Sequence, residues 1–218
     1  MNIIRASESE SNRRNEMSTI FVDGFYQWLN YFSKDKAKLY KTFAHMFNEE
    51  VFYTAVVDDR IAAIAACTTN NIPSVRLKYS EFRKHLGLFM GSIAYAILKK
   101  EFEKKQYPFQ LSEKMGAIEF VATSVKYRGQ GVATELLKSI IHSTSYDEYV
   151  LEVADTNISA IKLYEKLGFA EFMRIPQKHS EKSGVNDLVY MKHVKVKDVG
   201  GSTGTVLMLP KQDRPGPY

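Results

Sequence analysis

A chain of 218 residues, 44% apolar and 25% charged, can bury one substantial core and lies within the size range of a single domain. Its net charge of +5 is interleaved with acids, as in Lys34-Asp35-Lys36 and Lys100-Glu101-Phe102-Glu103, which argues against a nucleic-acid partner. The lone Cys67 excludes an internal disulfide, the uncharged run Leu86 to Leu98 is too short to cross a bilayer, and the polar start after Ala6 lacks the form of a signal peptide. The expectation is a cytoplasmic protein with no membrane partner.

Residues Asn2 to Ala6 alternate weakly and predict a first strand. Met17, Ile20, Phe21, Phe25, Trp28, Leu29 and Phe32 then recur at spacings of three and four, one face of a helix, and Asp35 to Phe47 reads as a second helix. Two β-prone runs, Val51 to Val57 and Ile61 to Thr68, are joined by Asp58-Asp59-Arg60 and predict a hairpin. Tyr79 to Glu103 reads as helix in two pieces broken near Gly87 and ended by Tyr107-Pro108. The second half predicts a strand over Met115 to Lys126, a helix over Gly131 to Ser145, a strand over Tyr149 to Val153 and a helix over Asn157 to Leu167 closed by Gly168. Strands over Phe169 to Ile175 and Leu188 to Val194, around a polar loop from Gln177 to Asn186, complete a domain spanning 1–198. Residues 199–218 carry Gly200, Gly201, Gly204, Pro210, Pro215, Gly216 and Pro217 and predict a mobile tail.

The stretch Val121-Ala122-Thr123-Ser124-Val125-Lys126-Tyr127-Arg128-Gly129-Gln130-Gly131-Val132-Ala133-Thr134 runs from a strand through a glycine loop into an amphipathic helix. Unpaired N–H groups and a partial positive charge at such a helix start suit a phosphate, and glycines let it approach closely. An ordinary tight turn would use the same residues. A dinucleotide fold is the weaker nucleotide reading: Gly129-Gln130-Gly131 lacks the third glycine of G-x-G-x-x-G, although Glu152 stands where a ribose-binding acid is expected. Too little chain follows to build such a domain.

Arg128-Gly129-Gln130-Gly131-Val132-Ala133 resembles the [R/Q]-x-x-G-x-[G/A] signature of the GNAT superfamily of N-acetyltransferases, and Asn157-Ile158-Ser159-Ala160-Ile161-Lys162-Leu163-Tyr164-Glu165-Lys166-Leu167-Gly168-Phe169 resembles its second half. The resemblance implies an α/β (α+β) fold with a mixed, mainly antiparallel central sheet flanked by helices. It implies acetyl transfer from acetyl-CoA to a primary amine of a small molecule, peptide or protein, and a homodimer is compatible with it. A non-catalytic acyl-CoA sensor or scaffold is the alternative function. Val125 stands where many relatives have proline, and the segment Ser74 to Gln110 is a helical insertion.

By this resemblance Arg128, Gly129, Gln130, Gly131, Val132, Ala133, Thr134 and Asn157 bind the cofactor, and main-chain atoms of Thr123 and Val125 meet its pantetheine arm and thioester. Tyr164 takes the family's place for the general acid, a phenol able to protonate a departing thiolate; packing beside Ile161 and Leu167 is its other reading. Glu119, an acid in an apolar strand, is the candidate base, with an outward-facing glutamate or a water chain left open. The insertion's rings, Tyr79, Phe82, Phe89, Tyr95, Phe102, Tyr107 and Phe109, are expected to form core, with some walling the acceptor pocket. Gly200-Gly201-Ser202-Thr203-Gly204 imitates a hydrolase elbow without a following helix or histidine, and the histidines at 45, 85, 142, 179 and 193 show no ligand spacing, so no metal is expected.

Overall fold

Seven strands, β1 (Asn2–Arg5), β2 (Phe52–Val57), β3 (Arg60–Thr68), β4 (Met115–Thr123), β5 (Glu148–Ala154), β6 (Ala170–Pro176) and β7 (Asp187–Val194), form one sheet in the order β1-β2-β3-β4-β5-β7-β6 in the computed structural model. Residues 1–9, 12–69, 71–178, 181 and 184–195 are described; the tail expected at 199–218, with its hydrolase-like glycines, lies outside them, as does His179. Every neighbouring pair is antiparallel except β4 with β5, so the sheet is mixed and mainly antiparallel as expected. The hairpin between β2 and β3 turns at Asp58 and Asp59, with φ of 49° and 55°, the left-handed pair that matches strand twist in a two-residue turn.

Six helices cover the sheet: α1 (Arg14–Leu29), α2 (Lys36–Phe43), α3 (Tyr79–Leu86), α4 (Leu88–Leu98), α5 (Val132–Ser143) and α6 (Ile158–Lys166). Helix α2 stops at Phe43 rather than Phe47, because Phe47 pairs in a bridge with Val75 and the Arg76 N–H donates to Met46 O at 2.8 Å. Strand β4 stops at Thr123 rather than Lys126. The Ser124 N–H makes a last bond to Ala62 O at 2.8 Å, and Val125–Tyr127 wind into a 3₁₀ turn.

Each face of the sheet has its own core. On one face α1, α2 and the insertion pack around Phe21, whose ring lies 4.9 Å from Phe25, 5.2 Å from Phe43, 5.8 Å from Phe120 and 6.0 Å from Phe102. On the other, α5 and α6 pack Leu136, Leu137, Ile140 and Tyr164 onto Ala63, Ala65, Ile118 and Leu151. Cys67 belongs to this second core, and burial pushes its thiol up to about 12, as expected of a structural cysteine.

The insertion is two helices and a strap. Gly87, at φ 82°, breaks α3 from α4 where the sequence places the break. Helix α3 docks on α2 through Phe82, 5.5 Å from Phe43, and through the Lys78 N–H, which donates to His45 Nε2 at 2.8 Å. Burial holds the His45 imidazole below its ordinary pKa, consistent with a neutral ring accepting that bond. After α4 a π-helical turn, Lys99–Glu103, leads into a strap that returns across the sheet to β4. Between Ser74 and Gln110 stand eight Lys and Arg against three acids, a surplus of five that equals the net charge of the whole chain.

Removing the ring that joins α1, α2, the insertion and β4 leaves a large cavity. Phe21→Ala is expected to lower unfolding free energy by about 3–5 kcal/mol, read as a lower urea midpoint at unchanged slope.

Candidate active site

Strands β4 and β5 pair from Met115 with Glu148 to Ile118 with Leu151 and then part. The cause lies in β4. At the next two residues the strand bulges, with Phe120 at φ 54° and the pairing to β3 shifted between Ile64 and Ala66. Phe120 thereby joins the aromatic core under α1, and the main chain from Glu119 to Thr123 has no β5 partner.

A groove of about 880 Å³ enters at this parting. Its walls include Val121 to Thr123 of β4, the start of α5, one side of α6, and Asp23, Gly24 and Gln27 of α1. Gly129 and Gly131 sit at φ 74° and 79°, which only glycine adopts freely, and a Cβ on either would meet nothing within 4 Å. Space therefore lies open beside both. The loop is fixed by Arg128 Nε donating to Thr123 O at 3.2 Å and Gln130 Nε2 donating to Lys126 O at 2.9 Å. No side chain caps α5, so the first-turn N–H groups at Val132, Ala133 and Thr134 are left facing the groove. Tyr127, 6% exposed, lines the groove with a buried hydroxyl that has no partner.

Across the groove Asn157 caps α6, its side chain accepting from the Ala160 N–H at 3.3 Å. Tyr164 lines the same groove and is 7% exposed; burial raises its phenol well above the ordinary value, which keeps it protonated. Such a group can give a proton and is a poor base. Lys162 and Lys166 place two cations on the same side of α6. An open glycine loop, uncapped helix N–H groups, an unpartnered buried hydroxyl and two ammonium groups fit a long ligand that carries phosphates at one end.

Thr123, Arg128, Gly129, Gly131, Val132, Ala133, Thr134, Asn157 and Tyr164 are brought together here. Val125, 62% exposed, and Gln130 do not line the groove. Nor does Glu119, whose carboxylate accepts from Ser74 Oγ and, at 2.6 Å, from the Tyr107 hydroxyl. Burial, and next the charge of Glu119, hold the Tyr107 phenol well above its usual pKa. Glu152, the first β5 residue beyond the last pair, stands one strand away on the same face, 3.3 Å from Lys105 Nζ and beside Tyr190. Among the described residues no group of three or more His, Cys, Asp or Glu could hold a metal.

Sequence reasoning missed Asp23, Gly24, Gln27, Thr156, Lys162 and Lys166. The two lysines were findable, since they follow Ser159 at helical spacing on the face that carries Asn157. The three α1 residues carry no local signal. Of the insertion's rings, Phe82, Tyr95 and Phe102 pack with the first core, Phe102 lying 5.2 Å from Phe120 of β4; Tyr79 lies 5.2 Å from Tyr95, Phe89 is exposed, Tyr107 reaches Glu119 of β4 and Phe109 reaches Tyr190 of β7.

A family model described as the acetyltransferase (GNAT) family matches residues 14–169. The chain belongs to the GNAT acetyltransferase family. It is 38% identical over 82 residues to N-alpha-acetyltransferase 30 of Xenopus laevis, a match covering 36% of this chain and 28% of that protein. The human protein of the same name matches at 38% over 82 residues, covering 36% of this chain and 21% of its own length. The chain thus spans well under half of these curated relatives. An N-acetyltransferase from Staphylococcus aureus Mu50 superposes with a TM-score of 0.59 at 16% identity, over 88% of this chain and all of that one. The ribosomal-protein-S18-alanine N-acetyltransferase of Escherichia coli gives 0.52 at 15% identity, over 93% and 99%. These place the fold among acetyltransferases.

Gly131→Asp puts a carboxylate into the open space of a loop read as a phosphate cradle, at a backbone position Asp tolerates better than most residues. Calorimetric affinity for CoA is expected to fall at least tenfold while the melting temperature stays within a few degrees. Unchanged affinity in the folded variant would remove the phosphate assignment.

Proposed function

We propose that this protein transfers the acetyl group of acetyl-CoA directly to a primary amine, and that the amine is the free amino terminus of a peptide or protein. The observation that carries the reading is that one groove joins the left-handed glycine loop to Tyr164 at the parting of β4 and β5. The loop and α5 N-terminus would hold the pyrophosphate, and the unpaired main chain of β4 would meet the pantetheine arm as a further strand does. A main-chain donor near Thr123 would steady charge on the carbonyl oxygen, an effect worth a few kcal/mol. Tyr164 gives its proton to the departing sulfur. Glu119 and Glu152 flank the start of the parting and are the candidates to take the proton of the incoming ammonium.

The choice of amine rests on three supports. The curated relatives are named as N-alpha-acetyltransferases. The surplus of five positive charges on the insertion opposes a polyamine more than a singly charged amino terminus. An α-amine, with its pKa near 8, is also easier to deprotonate than a lysine. An acyl-CoA sensor would need the loop but not a protonated phenol in the groove, and no observation favours it.

The test is a thiol-release assay with acetyl-CoA against peptides that differ in their first residue, the same peptides blocked at the amino terminus but carrying lysine, and spermidine. Turnover is expected on the free-terminus peptides. CoA binding with no release above hydrolysis on any amine would overturn the enzymatic reading, and preference for blocked peptides or spermidine would overturn the acceptor.

Tyr164→Phe should lower kcat by roughly 10² while CoA affinity changes less than threefold. Because burial raises the phenol pKa, the wild-type kcat should show no alkaline loss from this group up to pH 10. Parallel losses of melting temperature and activity in the variant would mark Tyr164 as packing alone.

A further inference from the structure

The strap that ends the insertion crosses the sheet on the face opposite α5 and α6, over the point where β4 and β5 part. It is fastened there at three places. Lys105 Nζ lies 3.3 Å from Glu152 Oε1, with the two side chains 23% and 21% exposed. The Tyr107 hydroxyl donates to Glu119 Oε1 at 2.6 Å. Phe109 packs 5.1 Å from Phe172 and 5.6 Å from Tyr190. Lys105 Nζ also lies 4.8 Å from the centroid of the Tyr107 ring, so the second fastening supports the first. A primary ammonium of the chain itself thus occupies the carboxylate beside the parting.

We propose that Lys105 is an internal occupant of the acceptor's ammonium seat, and that an acceptor binds by displacing its charge from Glu152. This inference rests on the proposed acetyl transfer. The seat is a carboxylate half out of water, where an ion pair is stronger than at the surface but still exchangeable. Holding Glu152 paired avoids an unpaired buried charge in the free protein. The same pairing makes the seat selective. An incoming group must be a cation small enough to take the place of one lysine ammonium, and a neutral or anionic compound gains nothing there. Lys105 acts as a competitor and is a specificity-determining residue; it need not touch the acetyl group.

The experiment measures kcat and KM for both substrates with the free-terminus peptide of highest turnover. Lys105→Gln keeps most of the length and the polarity and removes the charge; its peptide KM is expected to fall roughly five- to tenfold with acetyl-CoA KM unchanged, and its melting temperature should drop modestly because Glu152 loses its partner. Lys105→Arg keeps the competing charge and should hold the peptide KM at or above the wild-type value. Glu152→Gln should raise it. A Lys105→Gln peptide KM equal to or above wild type, in a protein that still transfers acetyl to the peptide, would overturn this inference alone. A fall in peptide KM shared by Lys105→Arg would also overturn it, since the effect would then come from loosening the strap. Transfer to no amine by wild type or variants would instead overturn the acetyltransferase reading.

Discussion

The separation of two adjacent parallel strands is the constraint from which the rest of this molecule follows. Inside a domain, backbone N–H and C=O groups must find partners. Here β4 loses those that β5 supplies after a few residues, while β5 keeps β7 along its whole length. The bulge at Phe120 produces this and also keeps the parting in place, because its ring is held by Phe21, Phe25, Phe52 and Phe102. A parallel pair also requires a crossover connection, and α5 provides it, which sets a helix N-terminus at the end of β4. The open backbone, the anion-seeking helix end and the glycine loop therefore occur together through topology rather than by separate provision.

Much of this could be read in the chain. The loop, the start of α5, the cap Asn157 and Tyr164 lie within short runs whose function depends on local geometry: left-handed glycines, a helix start, one helix face. The mixed, mainly antiparallel sense of the sheet followed from the resemblance, whereas the order of its strands comes from the structure. Other features were not readable because they depend on contacts between distant segments. Gly24 gives no hint in α1 that it approaches Ala122, yet a Cβ there would lie 3.0 Å from the Ala122 Cβ. Glu119 reads as an isolated acid, and only the fold brings Ser74 and Tyr107 to its oxygens. Glu152 has the spacing of a ribose ligand, but the structure pairs it with Lys105. Helix α2 and strand β4 are shorter than their side-chain patterns predict for the same reason: tertiary hydrogen bonds stop elements that the pattern alone would continue.

The insertion changes the character of the face it covers. Most of its apolar residues serve the core around Phe82 and Phe102, whereas its polar and charged residues carry the whole positive surplus of the chain. Its strap lays a tyrosine and a lysine across the two acids beside the parting. Positive potential near an opening slows multiply charged cations and leaves singly charged ones less affected. The segment therefore combines packing and cover in one stretch of chain and sets the positive surplus on the same face.

The division of the core by the sheet also has a consequence for descent. Side chains from α5 and α6 fill one face and those from α1, α2 and the insertion fill the other, with few atoms shared between them. Changes at separate, non-touching sites tend to add rather than interfere. A lineage carrying this fold can therefore rewrite one face, including the length and charge of its insertion, while the opposite face retains its glycine loop and tyrosine. Divergence among such proteins should be lopsided, with two layers of the same domain ageing at different rates.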